Sequence, residues 1–308
     1  MMKKLYIELT SKCNLNCKTC FRNNWFDETE GVMNDPVLQK LYGYIDSADK
    51  LESVSLSGIG EPLLHRNITE IVRRISFAGK KTEIITNASL LDENTSAKLI
   101  NAGLSMLWVS LDDAHTESAD RFSEKVLNNI KYFNKIKGSS CKLGFAFVVE
   151  NGRTDKIYEF AGKYDADEIN ISGAIPYRPL KKSCETKKLL GDNAGYCPFV
   201  SEGKCFIKWN GDVSPCIQLL HNTYTYLFEE KRKVFSYSFG NVSEKSLDEI
   251  WNSKEYKAFR EKVIHFEFPD CTLCDGCDDR LENKKDCLFN DMPTCGACLW
   301  AQNAARCP

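Results

Sequence analysis

Three cysteines near the start of the chain have the spacing of ligands to a metal cluster. Cys13, Cys17 and Cys20 form a Cys-x3-Cys-x2-Cys triplet directly after an apolar run. Three thiolates on one short loop can hold three corners of a [4Fe-4S] cube and leave the fourth iron open. A closed set of four cysteines would favour a structural role. The triplet predicts a reactive iron-sulfur centre, with a structural zinc knuckle or an unrelated cysteine-rich turn as alternatives.

A second group of cysteines lies toward the carboxyl terminus, where ten of the 15 cysteines fall between residues 197 and 307. Nine of these are enough for two fully ligated [4Fe-4S] clusters, which would be electron relays or structural centres. A zinc ribbon is the alternative. Cys205 is a further possible ligand, and Cys141 and Cys184 are expected to be plain thiols. The nine candidates are Cys197, Cys216, Cys271, Cys274, Cys277, Cys287, Cys295, Cys298 and Cys307.

Composition excludes several classes of protein. The net charge is -2 over 308 residues, without a long block of one sign, which argues against nucleic acid or an anionic membrane as the main partner. No run of about 18 apolar residues occurs, and the amino terminus lacks the apolar segment of an export signal. Cysteines that are ligands rather than disulfides fit a reducing compartment, so we expect a cytoplasmic protein with one large and one small domain.

The elements that must position the triplet follow from the pattern of the first part of the chain. Apolar, β-branched runs alternate with helix-length amphipathic stretches, which predicts repeated β-α units and a parallel sheet. Gly79 and Gly103 fall where helices are often closed by a residue with positive φ. The predicted strands are 5–9, 53–56, 82–85, 106–111, 143–149 and 168–171, and the predicted helices are 36–48, 68–78, 93–102, 118–135 and 154–164. Six such strands indicate a partial barrel.

The triplet, followed by the aromatic Phe21, resembles the signature of the radical S-adenosylmethionine (radical SAM) enzymes. The resemblance implies a partial (β/α)6 TIM barrel over residues 1–185. It also implies that SAM chelates the open iron and is cleaved by one electron to a 5'-deoxyadenosyl radical, which abstracts hydrogen from a substrate.

The residues that follow the next predicted strands resemble the SAM-binding segments of that family. Ligands bind beyond the carboxyl ends of strands in such folds. The implied contacts are with the SAM amino group, its ribose and its carboxylate. A plain turn before Pro62 and an exposed helical arginine are the alternatives at two of these places. The implied SAM contacts are Gly58, Ile59, Gly60, Glu61, Asn87, Ser110, Asp112, Arg121 and Asn151.

The second predicted domain, residues 186–308, opens with Cys197-x13-Gly211-x4-Cys216, which resembles the SPASM auxiliary-cluster domain. By this resemblance Cys197 and Cys216 share the cluster nearer SAM, and Cys271 and Cys274 share the distal one. The spacing of the later cysteines departs from the SPASM pattern, so the others stay unassigned. Asn210-Gly211 predicts a hairpin with a two-residue turn. A helix is predicted over 247–263, begun by a Ser246–Glu249 capping box.

Segments spread over most of the chain resemble the SPASM proteins associated with tungsten-cofactor oxidoreductases. The resemblance implies an anaerobic oxidoreductase or maturase that acts on a peptide, a protein or a cofactor precursor. Its electron donor would be a ferredoxin or flavodoxin. The alternatives are an iron-sulfur electron carrier or redox sensor without SAM chemistry, and a zinc-ribbon scaffold. The substrate, the bond formed, the fate of SAM and the oligomeric state are left open by the sequence.

Overall fold

The computed structural model describes residues 1–17, 20–112, 124–149, 155–173 and 195–302. Eight strands in these ranges form one sheet, and they are β1 to β8 in chain order: Lys4–Ile7, Ser53–Leu56, Lys81–Thr86, Met106–Asp112, Lys142–Val149, Glu168–Gly173, Lys204–Ile207 and Val213–Ser214. Their spatial order is β6-β5-β4-β3-β2-β1-β7-β8. The neighbours from β1 to β6 are all parallel.

One helix follows each of the first five strands, as expected for β-α units. These helices are α1 to α5: Asp35–Ser47, Ile68–Phe77, Glu93–Asn101, Glu124–Ile136 and Asp155–Lys163. Asn34 caps the first by accepting from the N–H of Val37, and Asp92 caps the third from Thr95. Gly79 and Gly103 close α2 and α3 with φ of 75° and 90°. The predicted α/β class with a parallel sheet is confirmed.

The core lies between the parallel strands and these helices. Leu5, Val54 and Leu56 from the central strands are fully buried, as are Ile71 and Ile75 from α2. Burying each such side chain contributes about 1.5–3 kcal/mol. The sheet is therefore a well-packed support for the loops at its carboxyl edge.

The first strand ends earlier than predicted, at Ile7 instead of Leu9. The chain there leaves β2 and pairs with a returning segment, in which Thr10 forms an antiparallel bridge with Val32. The N–H of Met33 donates to the carbonyl of Leu9 at 2.8 Å. This short pairing closes the base of a loop from residue 11 to residue 31, and the cysteine triplet lies in that loop.

Strand β7 extends the same sheet beyond β1, with which it pairs in parallel from Lys4 opposite Lys204 to Ile7 opposite Ile207. Strand β8 returns antiparallel to it. The predicted hairpin is present, but the turn is longer than the predicted two residues. The N–H of Lys208 donates to the carbonyl of Asp212, so three residues form the loop, and Gly211 supplies a φ of 93°. The predicted domain boundary near residue 185 lies outside the described residues.

The rest of the carboxyl-terminal region is built from short elements. A hairpin of β9 and β10 (Thr223–Leu227 and Glu230–Val234) forms a separate two-stranded sheet. Three helices, α6 to α8, span Pro198–Ser201, Leu247–Asn252 and Lys254–Ile264. The capping box is present, but the single helix predicted over 247–263 is broken. Ser253 ends α7 with an extended ψ of 152° and caps α8 by accepting from the N–H of Tyr256.

Among the helices of the described residues, none combines the length and the apolar character that a membrane crossing requires.

Candidate active site and auxiliary cysteine sites

The cysteine triplet lies in the loop that follows β1, at the carboxyl edge of the parallel sheet. Cys13 and Cys20 are half-buried and Cys17 is exposed. The N–H of Cys20 donates to the carbonyl of Cys17 at 3.1 Å, and the N–H of Leu15 reaches the sulfur of Cys13 at 3.4 Å. Burial raises the pKa of the Cys20 thiol, partly offset by the N–H of Arg22. The three thiols thus share one short loop whose backbone is already turned.

The Gly58–Glu61 segment packs directly against the stretch that leads into the triplet. A Cβ on Gly60 would overlap the carbonyl oxygens of Thr10 and Lys12. The N–H of Glu61 donates to the carbonyl of Lys12 at 2.9 Å. Part of the need for glycine at position 60 therefore comes from the protein's own backbone, because no side chain fits between the two segments.

Glu61 is buried, with 2% of its surface exposed. Its carboxylate accepts from the N–H of Leu63 at 3.0 Å, the hydroxyl of Thr86 at 2.7 Å and the N–H of Asn87 at 2.8 Å. Burial raises the pKa of this carboxyl, and these three hydrogen bonds partly offset it. The carboxylate therefore ties the loop after β2 to the end of β3, whatever else it contacts.

Asn87 connects the end of β3 to the triplet loop. Its side-chain amide donates to the side-chain oxygen of Asn14 at 3.1 Å and lies 3.8 Å from the sulfur of Cys13. Ser110 and Asp112 lie at the carboxyl end of β4, which is the next strand of the sheet. Arg121 and Asn151 lie outside the described residues. The structure thus brings the triplet, Gly58–Glu61 and Asn87 together at one edge.

Four cysteines of the carboxyl-terminal region lie close together, and we call them the first cysteine set: Cys197, Cys216, Cys295 and Cys298. Cys197 precedes α6 and Cys216 precedes a short 3-10 helix, while the N–H of Cys298 donates to the carbonyl of Cys295 at 3.0 Å. Burial raises the pKa of Cys295 well above its usual value, and the thiols of Cys298, Cys216 and Cys197 add to that shift. This set joins residues up to 101 positions apart in the sequence.

The second cysteine set is Cys271, Cys274 and Cys287. Burial raises the pKa of Cys271 to about 12, opposed by Arg232 and reinforced by Cys274 and Cys287. Cys274 and Cys287 are exposed, so this set reaches the surface. Cys277 is half-buried three residues beyond Cys274, and Cys307 lies outside the described residues.

The two sets adjoin each other at Gly296 and Arg232. The N–H of Cys271 donates to the carbonyl of Gly296 at 3.2 Å, and a Cβ on Gly296 would lie 3.0 Å from the sulfur of Cys271. Arg232 is 4% exposed, and its Nε donates to the carbonyl of Arg280 at 2.9 Å. Burial lowers the pKa of Arg232, opposed by thiols of both sets, Cys298, Cys295 and Cys271. A buried cation therefore lies within electrostatic reach of both.

A small cavity beside the first set contains donors that lack a partner within the described residues. It is lined in part by Arg232, Cys298, Gln218 and Trp300. The Nε2 of Gln218 and the Nε1 of Trp300 are buried there without a hydrogen-bond acceptor. Buried donors normally have one. Soft thiol ligands, a buried cation and unpaired N–H groups fit an anionic iron-sulfur cluster, whose inorganic sulfides would accept these bonds.

Two other cysteines are placed in packed surroundings. Cys141 and Cys205 are buried, and the hydroxyl of Tyr256 donates to the sulfur of Cys205 at 3.6 Å. Within the described residues, no three His, Cys, Asp or Glu side chains converge as they would around a single metal ion.

Sequence reasoning missed Arg232 and Trp300 as part of the site. Buried and exposed positions alternate along the end of β10, and its one arginine lies at a buried position. This alternation was the available signal.

Family models match both halves of the chain. Residues 7–161, half of the chain, match the radical SAM superfamily, and residues 197–278 match SPASM, described as an iron-sulfur cluster-binding domain. Together they imply [4Fe-4S] clusters and SAM as cofactors.

Two curated relatives illustrate the similarity. The chain is 30% identical to the tungsten-containing aldehyde ferredoxin oxidoreductase cofactor-modifying protein of Pyrococcus furiosus, over 100% of this chain and 97% of that protein. It is also 30% identical to a probable GTP 3',8-cyclase of Methanocaldococcus jannaschii, over 59% of this chain and 61% of the relative.

Solved structures share the fold. The complex of anSMEcpe with AdoMet and a peptide superposes with a TM-score of 0.61 at 17% identity, covering 98% of this chain and 96% of that one. Streptococcus suis SuiB bound to its precursor peptide SuiA gives a TM-score of 0.60 at 18% identity, over 84% and 67%. These likenesses concern the fold alone. On the family match and the full-length relative, the chain belongs to the radical SAM superfamily and is an enzyme with a SPASM iron-sulfur domain.

Proposed function

We propose that this enzyme cleaves SAM reductively at a [4Fe-4S] cluster held by Cys13, Cys17 and Cys20. The observation that carries the proposal is the convergence of three strand ends. The triplet follows β1, Gly58–Glu61 follows β2, and Asn87 follows β3 within 3.8 Å of the Cys13 sulfur. An iron-sulfur electron carrier would not require Gly58–Glu61 and Asn87 beside the triplet, because the ligands of its cluster are complete without them.

The cluster, when bound, supplies the electron that splits SAM to methionine and a 5'-deoxyadenosyl radical, which abstracts a hydrogen atom from the substrate. The chain's own residues hold the reactants. The amide of Asn87 and the N–H of Leu15 donate toward the sulfur of Cys13, at 3.8 Å and 3.4 Å. Glu61 fixes the loop after β2 by its three hydrogen bonds and presents the acceptor proposed for the SAM ammonium.

We propose the remaining SAM contacts on segments that follow the strands of the sheet in sequence. The backbone of Gly58, Ile59 and Gly60 lies beside the triplet, and Asn87 contributes to the same pocket. Ser110 and Asp112 at the end of β4 are proposed to accept hydrogen bonds from the ribose hydroxyls. For the SAM carboxylate we propose Arg121, with Asn151 as a further contact.

We propose two auxiliary [4Fe-4S] clusters in the SPASM region. The first cysteine set supplies four thiolates to one cluster. For the other we propose the second cysteine set together with Cys277, and Cys307 is the spare candidate. Gln218, Trp300 and Arg232 would donate to or lie beside the first cluster, which supports the assignment by giving the unpaired donors acceptors.

The exposed cysteines of the second set favour it as the point of electron entry. Cys274 and Cys287 are exposed, so a small protein such as ferredoxin or flavodoxin could approach that cluster closely. Electrons would then pass to the first set and on toward the triplet. The 13 cysteines in the described residues are all free thiols, which supports a reducing, cytoplasmic setting.

For the substrate we propose a peptide, a protein or a cofactor precursor. The Pyrococcus relative is named as a cofactor-modifying protein for a tungsten oxidoreductase, and both structural relatives were solved with peptides. A deuterated tungsten oxidoreductase, or a deuterated small peptide encoded beside this chain, would be incubated with enzyme and SAM. Deuterium transferred into 5'-deoxyadenosine identifies the substrate.

The test of SAM cleavage uses anaerobically reconstituted protein, dithionite and SAM, with 5'-deoxyadenosine measured by mass spectrometry. Wild type should release it. Cys17→Ala should abolish release while the iron of the auxiliary clusters stays bound. Cys141→Ala, which removes a thiol outside all three sites, is the matched control and should retain release. Full cluster loading of wild type without any 5'-deoxyadenosine would favour the electron-carrier alternative.

A further inference from the structure

A buried network of four charged side chains joins the SPASM region to the two loops of the candidate active site. Its centre is His221, which is 3% exposed and follows the 3-10 helix after Cys216. Nε2 of His221 lies 2.9 Å from a carboxylate oxygen of Glu8, and Nδ1 lies 2.9 Å from Glu28. The ammonium of Lys208 donates to the same oxygen of Glu28 at 2.8 Å.

The geometry defines the protonation state of His221. Each ring nitrogen faces a carboxyl oxygen; an ionised carboxylate can only accept, so with Glu8 and Glu28 ionised both nitrogens donate and the ring is the imidazolium. The network then holds two negative and two positive charges, and no buried charge is left unpaired. Burial lowers the pKa of His221, but the hydrogen bonds to Glu28 and Glu8 outweigh it, so the net shift is upward.

Each carboxylate of the network also holds a second segment. Glu8 accepts from the N–H of Ile59 at 3.1 Å, inside the Gly58–Glu61 loop. Glu28 belongs to the returning limb of the cysteine loop and accepts from the N–H of Asn222 at 2.8 Å. Trp25, on the same limb, stacks on His221 with ring centroids 4.3 Å apart. Through Glu8 and Glu28, a single imidazolium of the SPASM region is therefore connected to the Gly58–Glu61 loop and to the cysteine loop.

We propose that His221 is a positioning residue for SAM. Acting through Glu8 it holds the Gly58–Glu61 loop, and acting through Glu28 it holds the limb that follows Cys20, so the SPASM region sets the affinity of the barrel for SAM. The inference rests on the proposed function, because it requires SAM to bind at this edge. None of the four charged residues need touch SAM itself.

Removal of the imidazolium should loosen both loops. Without it, the N–H of Ile59 is the one donor left to Glu8 among the described residues, and Glu28 keeps Lys208 and the N–H of Asn222. Such a site relaxes by admitting water or by moving the carboxylates outward. Either change displaces Ile59. Loss of an outer partner of this kind typically costs about 10–100-fold in binding or activity.

The experiment compares wild type, His221→Gln and His221→Phe as reconstituted holoenzymes. Gln can donate to one carboxylate at a time, and Phe keeps the stack on Trp25 but donates to neither. Equilibrium dialysis with radiolabelled SAM should show the dissociation constant raised about tenfold or more in both variants. Iron content should stay at the wild-type value. His265→Gln, at an exposed histidine, is the control and should bind SAM as wild type does.

A pH series separates positioning from a merely structural role. The groups facing His221 are Glu8, Glu28 and Lys208, with Trp25 stacked on the ring. Wild-type affinity should be constant at low pH and fall as the pH rises through the raised pKa of His221, whereas His221→Gln should lack this step. Equal affinity of wild type and both variants, or the same pH step in His221→Gln, would overturn the inference. Wild type that binds no SAM would overturn the proposed function itself.

If the variants lose iron, hydrogen exchange gives a second readout on the protein without clusters. Residues 57–64 should exchange faster in His221→Gln than in wild type, and the helix α3, which packs against α2 and α4, should not change. Unchanged exchange of 57–64 would count against the proposal.

Discussion

Gly60 offers the sharpest test of how the barrel holds the cysteine triplet. In Gly60→Ala the new Cβ would lie 2.5 Å from the carbonyl oxygen of Lys12 and overlap that of Thr10. Both atoms are backbone, and the neighbouring bond from the N–H of Glu61 to Lys12 pins the two segments together. No side-chain rotation relieves the overlap, so residues 10–12 must move, and Cys13 moves with them.

The expected cost follows from the packing. Forcing a methyl group into a filled site costs about 1–3 kcal/mol, and loss of the Glu61–Lys12 hydrogen bond adds about 0.5–1.5 kcal/mol. Gly43→Ala is the matched control, because its Cβ meets nothing within 4 Å and it lies inside α1. A glycine in a helix interior is less favourable than alanine by about 0.5–1 kcal/mol, so this variant should be stabilised.

Urea unfolding and iron content measured together decide the outcome. Gly60→Ala should be less stable than wild type by about 2–4 kcal/mol and should lose the iron of the triplet while the auxiliary clusters remain. Gly43→Ala should keep all its iron. Gly60→Ala with wild-type stability and full iron content would refute the close approach of the two segments.

Four further substitutions test polar side chains and their partners. Glu28→Gln should destabilise the protein by about 3 kcal/mol in urea unfolding at neutral pH, since the pKa of Glu28 is lowered from 4.5 to about 2, burial being outweighed by the bonds from His221, Lys208 and Asn222. This contribution is present above pH 4.5 and is lost as the pH falls through about 2. Because Glu28 also helps to raise the pKa of His221 above 6.5, the difference should be constant between about pH 5 and 6 and decrease as the pH rises above about 6.5; a large change between about pH 5 and 6 would contradict the assignment. Trp300→Phe keeps an aromatic ring at this buried position and should lower the potential of one auxiliary cluster by about 20–60 mV in an EPR titration, equivalent to one hydrogen bond; an unchanged potential would count against that donor. Arg232→Leu should lower the potentials of both auxiliary clusters in the same titration, and Arg232→Lys should retain part of the effect; a shift in neither would contradict its place between the sets. Ser253→Ala should cost about 1 kcal/mol in thermal or urea unfolding by removing the cap of α8, and no loss would refute the cap.

The sequence predicts the parallel sheet where a strand reads as a continuous apolar run, as Lys142–Val149 does after its first residue. Ser53–Leu56 is buried at every position although serine alternates there with valine and leucine. It predicts the end of β1 poorly, since Leu9 is as apolar as Ile7 and only a distant partner at Val32 ends the strand. In the sequence Ser253 looks like an ordinary residue within one helix. In the structure it ends α7 and caps α8. Local sequence patterns identify helices and strands, but they do not identify the distant residues that determine where these elements end.

The long-range parts of the site were beyond prediction from sequence. The pairing of β7 with β1 brings Cys197 and Cys216 toward Cys295 and Cys298, and no spacing rule connects residues so far apart. Glu8, Glu28 and His221 are unremarkable singly, since each type is common on protein surfaces. Their burial, and therefore their charge pairing, exists only after the sheet has continued from β1 into the SPASM region.

The most direct test of the central claim is Mössbauer spectroscopy of protein reconstituted with iron-57, recorded with and without SAM. One iron of one cluster should change its signal when SAM is added, and this cluster alone should be missing when Cys13, Cys17 and Cys20 are all replaced by alanine. A spectrum that SAM leaves unchanged, or a SAM response that survives in the triple variant, would contradict the placement of the reactive centre at the triplet.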